Sequence, residues 1–111
     1  MNKGGLSGLL KQAQKMQEAM QEVQEGLVNI KVEGSAGGGM VNVTANAAQD
    51  ILEIKIDPEV VDPKDVEMLE DLVLAAVNQA LEHAKKRSQE EMSSVTGGMM
   101  PNLPGMKLPG M

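Results

Sequence analysis

The stretch "LVNIKVEGSAGGGMVNVTANAAQDILEIKID", residues 27–57, decides the fold. Val28, Ile30 and Val32 alternate with Asn29, Lys31 and Glu33, the period-two mark of a half-buried strand. "GSAGGG" (34–39) breaks the alternation. It resumes in "MVNVTANA", with Val41, Val43 and Ala45 on one face and Asn42, Thr44 and Asn46 on the other. After a short polar turn at Gln49–Asp50, "ILEIKID" sets Leu52, Ile54 and Ile56 inward, with Glu53 and Lys55 outward. Three adjacent strands with short connections predict an antiparallel meander.

Helices flank the meander. Before it, residues 6–27 carry apolar side chains at Leu6, Leu9, Ala13, Met16, Met20, Val23 and Leu27. The intervals alternate between three and four, a mean period of about 3.5, which is the narrow seam of a helix packed on another helix. Alanine, leucine, methionine, glutamine, glutamate and lysine, which make up most of this stretch, are all good helix formers. Gly26 is the expected stop, as a residue able to take positive φ. After the meander, "DPEVVDPKDVEMLEDL" punctuates twice: Asp57–Pro58 starts a single turn, and Asp62–Pro63 reads as an N-cap with proline at the first helical position. From Val66, the set Leu69, Leu72, Val73, Ala76, Val77, Ala80, Leu81 and Ala84 makes a broader apolar face, suited to a sheet, and predicts a helix to about Met92. The fold class is therefore α+β, an α-β-β-β-α protomer with one domain over residues 1–92. Residues 93–111, "SSVTGGMMPNLPGMKLPGM", lack periodicity and read as a flexible Met/Pro/Gly-rich tail.

The chain has 111 residues and no tryptophan, tyrosine or phenylalanine, so its core is aliphatic. Aliphatic side chains bury less area each than aromatics. A thin core beside a long amphipathic helix predicts self-association, with Leu9, Ala13, Met16, Met20 and Val23 facing a second copy. No cysteine is present, which excludes disulfides and thiol chemistry. No apolar run reaches signal-peptide or membrane-span length, and a cytoplasmic location is expected.

The residues offer little chemistry. "GSAGGG" lacks the Gly-Lys-Ser/Thr ending of a phosphate loop and precedes a strand, not a helix N-terminus. His83 is the sole histidine and reads as a solvated helix residue without a catalytic partner. Glu67, Glu70 and Asp71 sit early in a helix, where its dipole favours negative charge, and lack the oxygen-rich loop of a calcium site. No catalytic residue, metal, cofactor or small-molecule substrate is expected. The formal net charge of −6 argues against a strongly basic nucleic-acid binder, so any such binding must come from local patches. Two exist: Lys11 and Lys15, four apart with Lys3 preceding them, and the run Lys85, Lys86 and Arg87. Charges of this kind ordinarily form a solvated face. With no aromatics, stacking on single strands is not available, and binding would run through phosphates.

Taken together, "GGLSGLLKQAQKMQEAMQEVQ", "GSAGGGMVNVTAN", "EIKIDPEVVD" and "EMLEDLVLAAVNQALEHA" resemble the YbaB/EbfC family of bacterial nucleoid-associated proteins. The resemblance runs from about Gly4 to Met92, and "TGGMMP" continues the family's methionine-rich tail. It implies an intertwined, tweezer-like homodimer, without enzymatic activity, that binds double-stranded DNA and alters its conformation. It also turns Lys3, Lys11, Lys15, Lys85, Lys86 and Arg87 into candidate phosphate contacts. Members often carry a basic residue where this chain has Asn42, and a glycine where it has Ala47. A second reading is a protein-interaction module acting through the seam helix or through the methionines of the tail.

Overall fold

The computed structural model of the protein describes residues 3–99. Its elements are helix α1 (Lys3–Gly26), a 3-10 turn (Leu27–Asn29), strands β1 (Lys31–Ala36), β2 (Val41–Asn46) and β3 (Ile51–Ile56), a second 3-10 turn (Pro58–Val60) and helix α2 (Val66–Met99). The α-β-β-β-α order and the antiparallel sheet β1-β2-β3 are those expected. The chain divides into two units. One holds Gly26–Gln89, and the other holds residues up to Glu25 with those from Glu90 onward.

Within the first unit, β2 is the centre. Val41, Val43 and Ala45 are fully buried and meet Ala76 and Ala80 of α2, with Val32, Ala36, Leu72, Val73 and Val77 packed around them. The residues of α2 that vanish from solvent are the alanines 76, 80 and 84. Small side chains bring the helix backbone against β1, where a Cβ on Gly34 would fall on the Ala80 amide nitrogen and 2.5 Å from the Ala76 carbonyl oxygen. Gly34 is thus part of the strand, and so are Ser35 and Ala36; the break in the sheet is narrower than "GSAGGG". Gly37, Gly38 and Gly39 make the turn, all with positive φ (65°, 67° and 95°). Three successive residues in that region are accessible only to glycine without strain.

Strand boundaries shift for a local reason. Val28 and Asn29, expected in β1, belong to the 3-10 turn, closed by Ile30 N–H donating to the Leu27 carbonyl at 3.2 Å. Leu27, read as the last seam residue of α1, is instead buried in this turn. Gly26 does not end α1 through positive φ; it is right-handed (φ −75°, ψ −19°) and passes the chain directly into the tighter turn. Likewise Asp62 caps no helix. It forms a turn with Lys64 N–H on its carboxylate (2.9 Å), and Asp65 caps α2 by accepting from Met68 N–H at 3.2 Å. Asp57, by contrast, starts its single turn as read, accepting from Glu59 N–H at 2.9 Å. Helix α2 continues through Ser93–Met99, seven residues beyond the expected end. Residues 100–111 of the expected tail, Met100, Met106 and Met111 among them, lie outside the described residues.

The turn between β2 and β3 is built on a buried side chain. Asn46, 3 % exposed, donates from Nδ2 to the Val28 carbonyl (3.2 Å) and to Asp50 Oδ2 (3.1 Å). Its Oδ1 accepts from the Ala48 and Asp50 amides, each at 3.0 Å. The left-handed residue of this turn is Gln49 (φ 70°), so Ala47 replaces no conformationally required glycine. Asn46→Ala removes all four part-buried bonds at once and leaves a void under the turn, and is expected to cost about 2–3 kcal/mol. Thermal melts check this, with Asn46→Asp, which keeps the oxygen that accepts from both amides but faces the Asp50 carboxylate, also destabilised.

β3 departs most from expectation. Ile51, Ile54 and Ile56 are 37, 44 and 38 % exposed, and Leu52 is exposed as well. Thr44 pairs with Glu53 but Ala45 with Ile51, so Leu52 is the extra residue of a bulge and Ile51 takes its place opposite Ala45. Directly opposite residues share a face, so Ile51, Ile54 and Ile56 lie on the same face as Ala45, Val43 and Val41. They stay open because α2, seated tightly on Gly34, covers the β1–β2 side of the sheet.

Candidate nucleic-acid interface

The candidate cations occupy different surroundings. Lys11 and Lys15 are exposed and one helical turn apart on α1, and Lys3 is that helix's first residue. Lys85, Lys86 and Arg87 are exposed and consecutive on α2. At about 100° per residue they fan round the helix instead of sharing a face, and Arg87 is already engaged within the protein. The first group belongs to the unit ending at Glu25 and the second to the unit Gly26–Gln89.

The outer face of the sheet is polar and balanced. Its rows pair Lys31 with Asn46, Glu33 with Thr44 and Glu53, and Asn42 with Ser35 and Lys55. Two lysines stand with two glutamates, and Lys55 Nζ lies 3.9 Å from Glu53 Oε2. Asn42 turns its Nδ2 to the Gly39 carbonyl at 2.7 Å. A face without net charge is a poor phosphate surface, so the helices are the better candidates.

Two features escaped sequence reading. First, His83 is exposed, but its Nδ1–H donates to the Glu33 carbonyl at 2.6 Å. One turn earlier, Gln79 Oε1 accepts from Ser35 N–H at 2.7 Å. These two side chains of α2 occupy hydrogen-bonding groups of β1 that β2 does not use. His83 is thus a strand-edge partner, not a merely solvated residue, and one strand edge of the protomer is blunted. Second, Leu69, Val73, Leu74 and Val77, with Glu70, line a shallow apolar groove of about 460 Å³ along α2. Val73 and Val77 flank the same core as Ile54 and Ile56. The alternation of β3 announced an apolar face; only the placement of α2 reveals that it is uncovered. Among the described residues no three His, Cys, Asp or Glu side chains converge as metal ligands, and no helix is long and apolar enough to cross a membrane.

Comparison with known proteins adds the decisive observation. The sequence pattern of the YbaB/EbfC DNA-binding family matches residues 2–99. The chain belongs to this family. It is 52 % identical to a nucleoid-associated protein of Ruminiclostridium cellulolyticum, over 93 % of this chain and 89 % of that one. A nucleoid-associated protein of Bordetella avium is 53 % identical over 98 % of this chain and 99 % of its own length. The crystal structure of an uncharacterized protein from Helicobacter pylori shares the fold, with a TM-score of 0.68 at 22 % identity, covering 87 % of this chain and 99 % of that one. The YbaB/EbfC family is one of DNA-binding, nucleoid-associated proteins, not of enzymes. All six candidate cations fall inside the family span.

Proposed function

We propose that this YbaB/EbfC chain is a nucleoid-associated protein that binds duplex DNA as a homodimer, through the phosphate backbone, and alters the conformation of the duplex. Roles in nucleoid organisation and gene regulation follow from that activity. The observation that carries the reading is the family match over residues 2–99, joined to two exposed basic clusters in an otherwise acidic chain. Lys3, Lys11, Lys15, Lys85, Lys86 and Arg87 are the phosphate contacts in this reading. Lysine and arginine at a backbone release counterions and bring little sequence preference.

The homodimer is supported by what the protomer leaves open. Ile51, Ile54 and Ile56 of β3 and Leu74 of α2 are large apolar side chains left exposed, and Leu69, Val73, Leu74 and Val77 line an apolar groove; clustered apolar exposure of this kind marks an interaction surface. A second copy, bearing the same face, is a self-complementary cover for it. On α1, Leu9 and Ala13 are exposed while Met16, Met20 and Val23 are partly buried, so the seam offers a further contact. A two-fold doubles each basic cluster.

A gel shift on one labelled duplex, at low salt and with graded unlabelled competitors, tests the activity. Retardation relieved about equally by duplexes of unrelated sequence is the expected result. A duplex that never shifts overturns the reading.

A further inference from the structure

The charges of α1 carry a pattern that DNA binding alone does not require. At about 100° per residue, Lys11, Lys15, Glu18 and Glu22 fall within a sector of about 60° on one face. The seam residues Met16, Met20 and Val23 lie on the opposite side. All four charged residues are exposed, and none makes an ion pair among the described residues. The stripe is segregated, with both cations toward the N-terminus and both carboxylates toward the C-terminus.

Segregation works against the helix itself. An isolated exposed helix gains from opposite charges four residues apart and loses from like ones. Here the i,i+4 pairs are Lys11 with Lys15 and Glu18 with Glu22, so each is a like pair. Glu22 and Glu25 continue the acidic end beside Gln21 on a solvent-open groove. Within the helix only Lys15 and Glu18, three apart, are of opposite sign, and another helix supplying the opposite order gives all four residues an opposite partner.

We propose that α1 is a salt-sensitive docking surface for α1 of a second copy, packed antiparallel. With the two-fold axis between residues 16 and 17, Lys11 meets Glu22 and Lys15 meets Glu18. Each pair occurs twice, which gives four ion pairs. Both the lysines and the glutamates are four apart, so one register satisfies all of them. Exposed pairs are individually weak, and four together correspond to about a tenfold gain in association at low salt. The contact uses the stripe and not the seam or the sheet, so it joins dimers to one another instead of forming them. Where Lys11 and Lys15 also hold phosphates, duplex DNA and this contact compete for the same two side chains.

Sedimentation of the full chain without DNA tests the proposal, at about 0.02 M and about 0.3 M salt, where exposed charges are weakly and strongly screened. Four forms are compared: wild type, Lys11→Glu/Lys15→Glu, Glu18→Lys/Glu22→Lys, and the chain carrying all four substitutions. Circular dichroism confirms that each remains helical. Expected is concentration-dependent growth in mass for the wild type at low salt, absent at high salt and absent in each double variant. An equimolar mixture of the two double variants regains it, and so does the quadruple variant, whose stripe is reversed but still self-complementary. A wild type whose mass is the same at both salts overturns the proposal, and so does a mixture no larger than its components. The DNA reading is separable, because the sedimentation contains no DNA and duplex binding is read in a separate experiment.

Discussion

Gly34→Ala is expected to destabilise the protein by about 3 kcal/mol or more, although it adds one methyl group to a strand. The new Cβ would overlap the Ala80 amide nitrogen and crowd the Ala76 carbonyl. Both are backbone atoms in the middle of α2, so neither can swing aside as a flexible side chain would. Relief requires lifting the helix from the sheet, which opens the core at Val41, Val43, Ala76 and Ala80. For a domain of this size the loss corresponds to a fall in melting temperature of about 12 °C or more. Gly8→Ala is the control, since a Cβ there meets nothing and alanine is the better helix former. Its melting temperature should be unchanged or higher. Equal effects at the two glycines would contradict the close approach of α2 to β1.

For the homodimer proposed above, Ile54→Lys is expected to give a monomer while leaving the protomer folded. In the single chain Ile54 is 44 % exposed, so a lysine can reach water at little cost. In a dimer that covers this face, the same ammonium is buried without a partner, twice over by symmetry, and several kcal/mol are lost. A rise of at least about 100-fold in the dimer dissociation constant corresponds to about 2.7 kcal/mol. Leu74→Glu, on the α2 groove, should behave alike. Light scattering at micromolar concentration reads the mass, and circular dichroism reads the fold. If Met16→Lys dissociates the dimer and Ile54→Lys leaves it intact, the seam of α1 is the interface and the sheet face is not.

The contrast between these faces shows where the sequence speaks and where it stops. Alternation in Val41, Val43 and Ala45 located β2 and its buried side, because period two is a local property of the backbone. The same alternation in Leu52, Ile54 and Ile56 located β3 but misjudged its burial. Burial there depends on which strands α2 covers, and that is set at a distance by Gly34 against Ala76 and Ala80. The bulge that exchanges Leu52 for Ile51 is likewise a pairing event between strands, invisible in either strand alone. The cap of α2 moved by three residues: Asp57, Asp62 and Asp65 each accept a backbone amide, and only Asp65 stands directly before the helix. In the candidate site, the cations were readable as residues and their exposure on α1 follows from the helical period. The role of His83 was not, since its partner is the Glu33 carbonyl fifty positions away.

In the proposed function an acidic chain binds duplex DNA through local lysines and arginine. Fluorescence anisotropy of a labelled duplex, titrated across a salt series with wild type and with Lys11→Glu/Lys15→Glu, tests it most directly. For the wild type, the logarithm of the binding constant should fall linearly with the logarithm of salt. Losing two phosphate contacts on each of two protomers should flatten that slope by about 3.6 and weaken binding at low salt by at least about tenfold. Identical slopes and affinities for the two proteins would contradict the assignment of these lysines, and no binding by the wild type at low salt would contradict the function itself.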